Sequence, residues 1–435
     1  MKKILFIATG VLIATAIYYF TLGSSQATAQ MKQQINNELA SIASEGFSVQ
    51  NREVTEEKDH FILSFDDPQK LTAFFKKHNS PLTLEDAQAL QGLKLGVDIA
   101  YLDNAYSSAS FDLYPVALPT SITTALQADN IETLKALQSI IDRKVLLAHI
   151  DVNKLGTGFK GYIQDINETI DKDVNAKLSL QGMTFSGDID NNQVKSTNYA
   201  LENIAYSIAG AFNLTVTGVE GSHQPQANDT YSAQKILLEG SDFSYALHTL
   251  TGKASASSQD KLTSTSLEMN IASIEMTEKQ DHDKIEDIKL DMHVKNLNTE
   301  AFERLQTIDP EDEKAVLATL QELISHGVVF EIKNISANSV ETQGSKLGGF
   351  KFFATVSLDQ SLNVTQANNN PMSTLSALDA HLNLSVNSGL FALIAQKPQA
   401  MIALMMMPPK SDGDNKVYDL KVKDGNVLIN GKKAL

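Results

Sequence analysis

Gly156-Thr157-Gly158-Phe159-Lys160-Gly161 comes nearest to chemistry, because its spacing satisfies the glycine pattern that cradles a dinucleotide pyrophosphate. Such a site needs a strand before it, a helix starting at the last glycine and an acidic residue about twenty positions on. Residues 162–169 show no helical pattern, so the stretch reads as a tight turn between strands. Asp188, Asp190 and Asn192 alternate as at the start of a calcium loop, but Gln193 stands where the loop needs glycine and Tyr199 where it needs a bidentate glutamate. Asp281-His282-Asp283 offers metal-ligand types inside a charged run flanked by Lys279 and Lys284, the pattern of a solvated loop. The nine histidines are scattered without zincin spacing, and Gly344-Ser345-Lys346-Leu347-Gly348-Gly349 lacks the ending of a phosphate loop. No catalytic, cofactor-binding or metal-ligating residue is assigned, and the chain reads as non-enzymatic; a hydrolase whose site gathers residues from distant strands leaves no local trace.

The strongest surface signal is apolar. Residues 390–407 form a helix-like run, and Leu390, Phe391, Ile394, Met401, Ile402, Met405 and Met406 make a candidate hydrophobic surface. Methionine clusters suit adaptable surfaces that accept varied partners or acyl chains. The plainer reading is a helix packed on a sheet. Lys397 and Pro398 in mid-segment argue against a membrane span.

The elements that would position such a surface are mostly strands. Leu93, Leu95, Val97 and Ile99 alternate with polar residues, and so do Leu267, Met269 and Ile271, and Ile288, Leu290, Met292 and Val294. One face packs and the other is wet, the signature of antiparallel sheets. A helix is expected from an Asp309 cap and Pro310 to Gly327, burying Val316, Leu317, Leu320, Leu323 and Ile324; another is expected over 131–142. These two helices head a repeat: Leu134-x-x-Leu137-Gln138-x-Ile140-Ile141 matches Leu317-x-x-Leu320-Gln321-x-Leu323-Ile324, and Gly158-Phe159-Lys160 matches Gly349-Phe350-Lys351. The two stretches, about 131–163 and 314–354, read as an internal duplication of helix, strand, glycine turn and strand.

With 36 basic against 52 acidic residues the net charge is −16, which opposes nucleic acid and anionic headgroups as bulk partners. The absence of cysteine leaves stability to packing. Lys2 and Lys3 precede an uncharged stretch whose apolar residues (Ile4, Leu5, Phe6, Ile7, Val11, Leu12, Ile13, Ile17, Tyr18, Tyr19 and Phe20) are long enough for a transmembrane helix with a tyrosine belt. Ala27-Thr28-Ala29 also fits a signal-peptidase site, so retained anchor and cleaved signal both stand. Either way the bulk is expected to be exported.

Lys295-Asn296-Leu297-Asn298-Thr299-Glu300-Ala301-Phe302, the helix end Leu323-Ile324-Ser325-His326-Gly327, and the close Leu428-Ile429-Asn430-Gly431 resemble the YdgA-like family of bacterial envelope proteins over roughly the last two thirds of the chain. The resemblance implies an inner-membrane protein with a large periplasmic region and carries over no catalytic residue. The expected fold is α+β, mainly antiparallel β in long twisted sheets with covering helices, preceded by one N-terminal transmembrane helix. The expected organisation is an anchor or signal over 1–23, a helical stalk over 24–46 through which copies could associate, and a β-rich body over 47–435. The expected function is a membrane-anchored, single-pass periplasmic scaffold or interaction protein; the alternative is a module binding lipid or another hydrophobic ligand at the inner membrane. Expected partners are the inner membrane and an envelope protein or lipid, not nucleic acid, with no cofactor.

Overall fold

The computed structural model describes residues 28–77, 82–102, 107–171, 174–190, 193–224, 228–305, 308, 312–397 and 407–433. The chain divides into two compact units, one running to Gln224 and the other from Pro225. In both, strands pair antiparallel with their neighbours throughout.

The N-terminal unit opens with helix α1 (Thr28–Ile42), and the chain then turns at Gly46, whose φ of +101° lies in the region glycine occupies freely. The 24–46 segment is not a free stalk along its described part: Ile35, Leu39 and Ile42 are buried in the main core with Phe47, Phe61 and Phe65. Strands β1 (Phe47–Val54), β2 (Lys58–Phe65), β3 (Lys94–Tyr101), β4 (Ser107–Ala117), β5 (Ala148–Asn153) and β6 (Gly158–Ile163) lie side by side in chain order. Helix α2 (Pro68–Lys77) buries Leu71, Phe74 and Phe75, and α3 (Leu84–Ala89) starts from a Thr83–Asp86 capping box. Helices α4 (Thr120–Asp129) and α5 (Ile131–Asp142) join β4 to β5. Beyond β6 come β7 (Ile166–Asp171), β8 (Ala176–Gln181), β9 (Met183–Asp190), β10 (Gln193–Ile208) and β11 (Phe212–His223). The long β10 pairs along its first half with β9 and along its second with β8, while β9 closes against β6.

The C-terminal unit begins with four long strands: β12 (Asn228–Gly240), β13 (Phe243–Gln259), β14 (Leu262–Glu278) and β15 (Asp281–Asn298). Helices α6 (Thr299–Leu305) and α7 (Glu313–Leu323) precede β16 (Val329–Ala337), the hairpin β17 (Ser339–Thr342) and β18 (Ser345–Lys346), and β19 (Phe350–Leu358). Then follow α8 (Val364–Asn369), β20 (Leu378–Asn387), α9 (Ser388–Ala395), β21 (Lys410–Asp412), β22 (Asn415–Lys423), β23 (Asn426–Ile429) and β24 (Lys432–Lys433). Sheet order across this unit is β12, β13, β14, β15, β16, β19, β20, β22, β23 and β24.

The two stretches singled out as a repeat share their element order. In each, a pair of helices follows a strand, the next strand returns beside that strand, and a further strand pairs outside it. Ile140, Ile141 and Val145 are buried in the first, and Leu323, Ile324 and Val328 in the second. Lys144 and Gly327, at matching positions, both take left-handed φ values, +52° and +75°. The β17–β18 hairpin is extra in the second stretch.

Two expectations need correction. Helix α7 ends at Leu323 with Ile324 as its cap rather than at Gly327; it starts at Glu313, where the Asp312 carboxylate accepts from the Ala315 N–H at 3.0 Å, and the expected start, Asp309 and Pro310, lies outside the described residues. The transmembrane helix ahead of the fold is also corrected: among the described residues no helix is long and apolar enough to cross a membrane, and the residues read as its apolar part, Ile4 to Phe20, lie outside them.

Candidate functional site: an open apolar sheet face

Cross-strand partners share a face of a sheet, and so do residues two apart along a strand. In the C-terminal unit the pairing therefore assembles apolar rows that run across the strands. One is Met269, Leu290, Ile335, Phe352, Leu384 and Tyr418, from β14 to β22. The next is Leu267, Met292, Ile332, Ala354, Leu382 and Leu420 on the same strands. Ile332 and Ile335 are three apart, yet both stay in these rows because pairing shifts between them on both flanking strands, a bulge that absorbs one extra residue.

The opposite face is polar and internally paired. Lys295 Nζ lies 2.7 Å from Glu331 Oε1, His293 Nε2 2.9 Å from Asp291 Oδ1, and His381 Nε2 2.6 Å from Asp419 Oδ1. The bond from Lys295 holds the Glu331 carboxyl below its ordinary range. Burial pushes Asp419 up, but His381 and Lys421 outweigh it and the net shift is downward. This face is a solvated ion-pair surface.

The apolar face is covered at one end only in part. Leu297, Ala301, Leu323, Ile324 and Val328 bury one another there, with Val294 and Leu358 packed against them. Ala380, Val422 and Val427 form a smaller cluster touching Leu382 and Leu420. Between these and α9, the large side chains of both rows are half-buried: Met269, Leu290, Met292, Ile332, Ile335, Phe352 and Leu384 all keep solvent contact. Such an arrangement offers a hydrocarbon a continuous floor with no hydrogen-bonding demand across its middle.

The sequence-derived surface meets this structure only in part. Leu390 is buried at 8 % exposure and its N–H donates to the Leu347 carbonyl at 2.9 Å. Phe391 is half-buried, whereas Leu393 and Ile394 are 37 % and 42 % exposed. Helix α9 ends at Ala395 with Gln396 as its cap, so the expected single helix over 390–407 is corrected; Pro398 disfavours helical geometry at Lys397 and supplies no donor. Met401, Ile402, Met405 and Met406 lie outside the described residues.

The motifs weighed for chemistry resolve into turns and strand contacts. Gly156 takes φ +66° in the β5–β6 turn, and Phe185 lies over Gly161, where a Cβ would stand 2.4 Å from the His149 carbonyl oxygen and 2.6 Å from the ring. The second glycine admits Asn153 and the Gly187 carbonyl. Asp188 accepts from the Ser196 hydroxyl at 2.8 Å and Asp190 pairs with Lys195 at 3.6 Å in the β9–β10 hairpin; Asn192 lies outside the described residues. His282 bonds Thr277 at 3.1 Å, and Asp283 accepts from Thr342 at 2.5 Å. Among the described residues no three His, Asp or Glu side chains are grouped to hold a metal ion.

A polar ladder in the N-terminal unit was not visible in sequence. His60, Asp98, Asp112 and His149 are successive cross-strand partners on β2 to β5. His60 Nδ1 lies 2.5 Å from Asp98 Oδ1, and His149 Nδ1 2.6 Å from Asp112 Oδ1. Lys144 Nζ stands 3.5 Å from Asp98 and 3.7 Å above the Tyr114 ring. Burial raises the Asp98 pKa, but bonds from His60 and Tyr114 and the Lys144 charge bring it below the ordinary value. A further open cleft of about 770 Å³ lies between α7 and residues 360–365, where Gln321 donates to the Leu362 carbonyl at 2.9 Å and accepts from the Val364 N–H at 2.8 Å. The ladder's histidines and aspartates pair with one another and Gln321 of the cleft bonds the backbone, whereas the apolar face presents large half-buried side chains across six strands. No family model, no curated protein and no solved structure matches the chain, so the likeness to the YdgA-like family rests on the quoted motifs alone.

Proposed function

We propose that the C-terminal unit binds the hydrocarbon part of an amphipathic ligand, a lipid or lipid-like molecule, along the apolar face of its sheet. The observation that carries this is the pair of adjacent rows whose large side chains are half-buried over six strands, backed by a face that is ionic. Half-covering about fourteen methylenes at ~0.8 kcal/mol per fully buried methylene contributes about 5–6 kcal/mol. That corresponds to a Kd of about 0.1 mM before any headgroup contact, a useful affinity for a molecule that must also be released. Lys2 and Lys3 ahead of an uncharged stretch support an exported location, where lipids are abundant.

The test is detergent-free purification of the full chain followed by native mass spectrometry and titration with a fluorescent fatty acid. Saturable binding is expected, and Phe352→Glu, which puts a charge on the open face, should weaken it at least tenfold while the circular dichroism stays unchanged. A chain that carries no amphiphile and shows no saturable binding would end the proposal. A second reading, a non-enzymatic scaffold that docks a protein partner, draws support from the exposed Leu393 and Ile394 of α9. It predicts that Leu393→Ser with Ile394→Ser abolishes complex formation and leaves amphiphile binding intact.

A further inference from the structure

The chain has no cysteine, so methionine is its one readily oxidised sulfur, and we infer that Met269 and Met292 are sites of reversible sulfoxide formation that turn the apolar face off. This rests on the apolar-face reading above and adds its regulation. Strand register puts the two thioethers in one block. Met269 on β14 pairs with Leu290 on β15, and Leu267 with Met292, so the methionines occupy one diagonal of a square and the leucines the other. Diagonal neighbours of this kind stand about 7–8 Å apart, within reach of long side chains. Along the rows the block is flanked on β13 by Gly252, which brings no side chain, and by Ala254, and on β16 by Ile335 and Ile332. All four members of the block are half-buried, and none belongs to the buried clusters under α6 and α7 or on β20 to β23. Solvent therefore reaches the block, and nothing around it is polar. The other methionines of the described strands have different surroundings: Met183 pairs with Ile163 in the N-terminal unit, and Met276 with Tyr245 and Asp283. Met407, ahead of β21, is 38 % exposed.

The chemistry needs an oxidant of the peroxide class. The sulfur lone pair attacks one peroxide oxygen, the O–O bond breaks, an S–O bond forms and water leaves; sulfur loses two electrons and the peroxide gains them. A sulfoxide replaces a soft apolar thioether by a strongly dipolar group whose oxygen demands a hydrogen-bond donor. The block holds none, because its four side chains and their flanking partners are all hydrocarbon, thioether or glycine. Covering such an oxygen with an acyl chain strips its water and returns no partner, which costs on the order of tenfold in affinity for each group. In the absence of ligand the same oxygen stays hydrated, so oxidation acts on binding far more than on folding. A dithiol-driven reductase reverses the step, with one enzyme for each sulfoxide epimer.

The experiment titrates the full chain with dodecanoate, by displacement of the fluorescent fatty acid, before and after hydrogen peroxide, and maps sulfoxides by peptide mass spectrometry with Met407 as the exposed reference. Sulfoxides are expected at Met269 and Met292, with Kd raised at least about tenfold and brought back by the two methionine sulfoxide reductases with dithiothreitol. The Met269→Leu, Met292→Leu double variant, measured against its own untreated form, should change less than about twofold on oxidation although its other methionines still take up oxygen. Met269→Gln with Met292→Gln should imitate the oxidised state without peroxide. Both sulfoxides formed with Kd unmoved overturns the inference and leaves the hydrocarbon site standing. So does oxidation of Met407 without oxidation of Met269 and Met292, or an equal loss of binding in the leucine variant. A chain that binds no dodecanoate before peroxide overturns both readings.

Discussion

At the residue scale the polar ladder on β2 to β5 makes a sharp pH prediction. Asp98 is held below its ordinary value of 3.8 by His60, Tyr114 and Lys144 against the opposing effect of burial. A carboxylate whose folded pKa is depressed stabilises the fold fully above its unfolded value, and this stabilisation is lost as pH falls through the folded value. Stability should therefore drop as pH is lowered past about 3.8, and Asp98→Asn should flatten that drop while lowering stability near neutrality. Urea titrations at pH 7, 5, 4 and 3 check it; parallel curves for the two proteins at every pH would show that the ladder contributes nothing through Asp98. Its members are 37 and 38 positions apart within each His–Asp pair, which is why reading along the chain did not join them.

Element-scale structure shows where alternation is informative and where it slips. Ile288, Leu290, Met292 and Val294 read directly as one face of β15, and α5 begins after its Asn130 cap at Ile131, as its pattern indicates. What periodicity does not reveal is a crease. On β13 the apolar positions step from Leu250 to Leu247, and on β14 from Ile271 to Ile274, a spacing of three in place of two. Ladder pairing skips Thr249 and Ala272 at that level, Thr249 has φ +51°, and Asp287 on β15 has φ +52°. A left-handed residue inside a strand interrupts the ladder and bends it, so the pattern changes phase where the backbone does. Threonine is a poor occupant of that region because its branched Cβ crowds the backbone. Thr249→Gly should then stabilise the protein by up to about 1 kcal/mol, since glycine populates this region without penalty although it loses more chain entropy on folding. A melting temperature that falls by several degrees would mean that the Thr249 side chain contributes more than its backbone strain removes. The end of α7 shows the same limit: the apolar pattern runs on through Ile324 towards Gly327, but the helix stops at Leu323 with Ile324 as its cap, and Ile324 is buried all the same.

For the whole molecule, the distribution of core separates the two units by stability. Among the described residues, the main cluster of the N-terminal unit gathers 25 buried side chains, including Phe61, Phe65, Phe111 and Leu95 at 1 % exposure or less. The C-terminal clusters gather five and three, and the long strands between them keep their large side chains half-buried. Each half-buried aliphatic side chain forgoes roughly 1 kcal/mol of the ~1.5–3 it would gain by full burial. Strands with solvated backbone and few buried contacts open at lower free energy than those inside a dense core. Amide exchange should accordingly be slower in β2 to β5 than in β13 to β15, and thermal unfolding should show two transitions with the C-terminal unit first. The same openness is what a binding face requires, because a face sealed by its own helices would have no room for hydrocarbon. Saturating dodecanoate is therefore expected to raise the lower transition by a few degrees and to slow exchange in β14 to β20, with the upper transition unmoved, as linkage demands of a ligand that binds one folded unit. A single transition, or one in which the ligand slows exchange equally in both units, would show that the apolar rows are not the site.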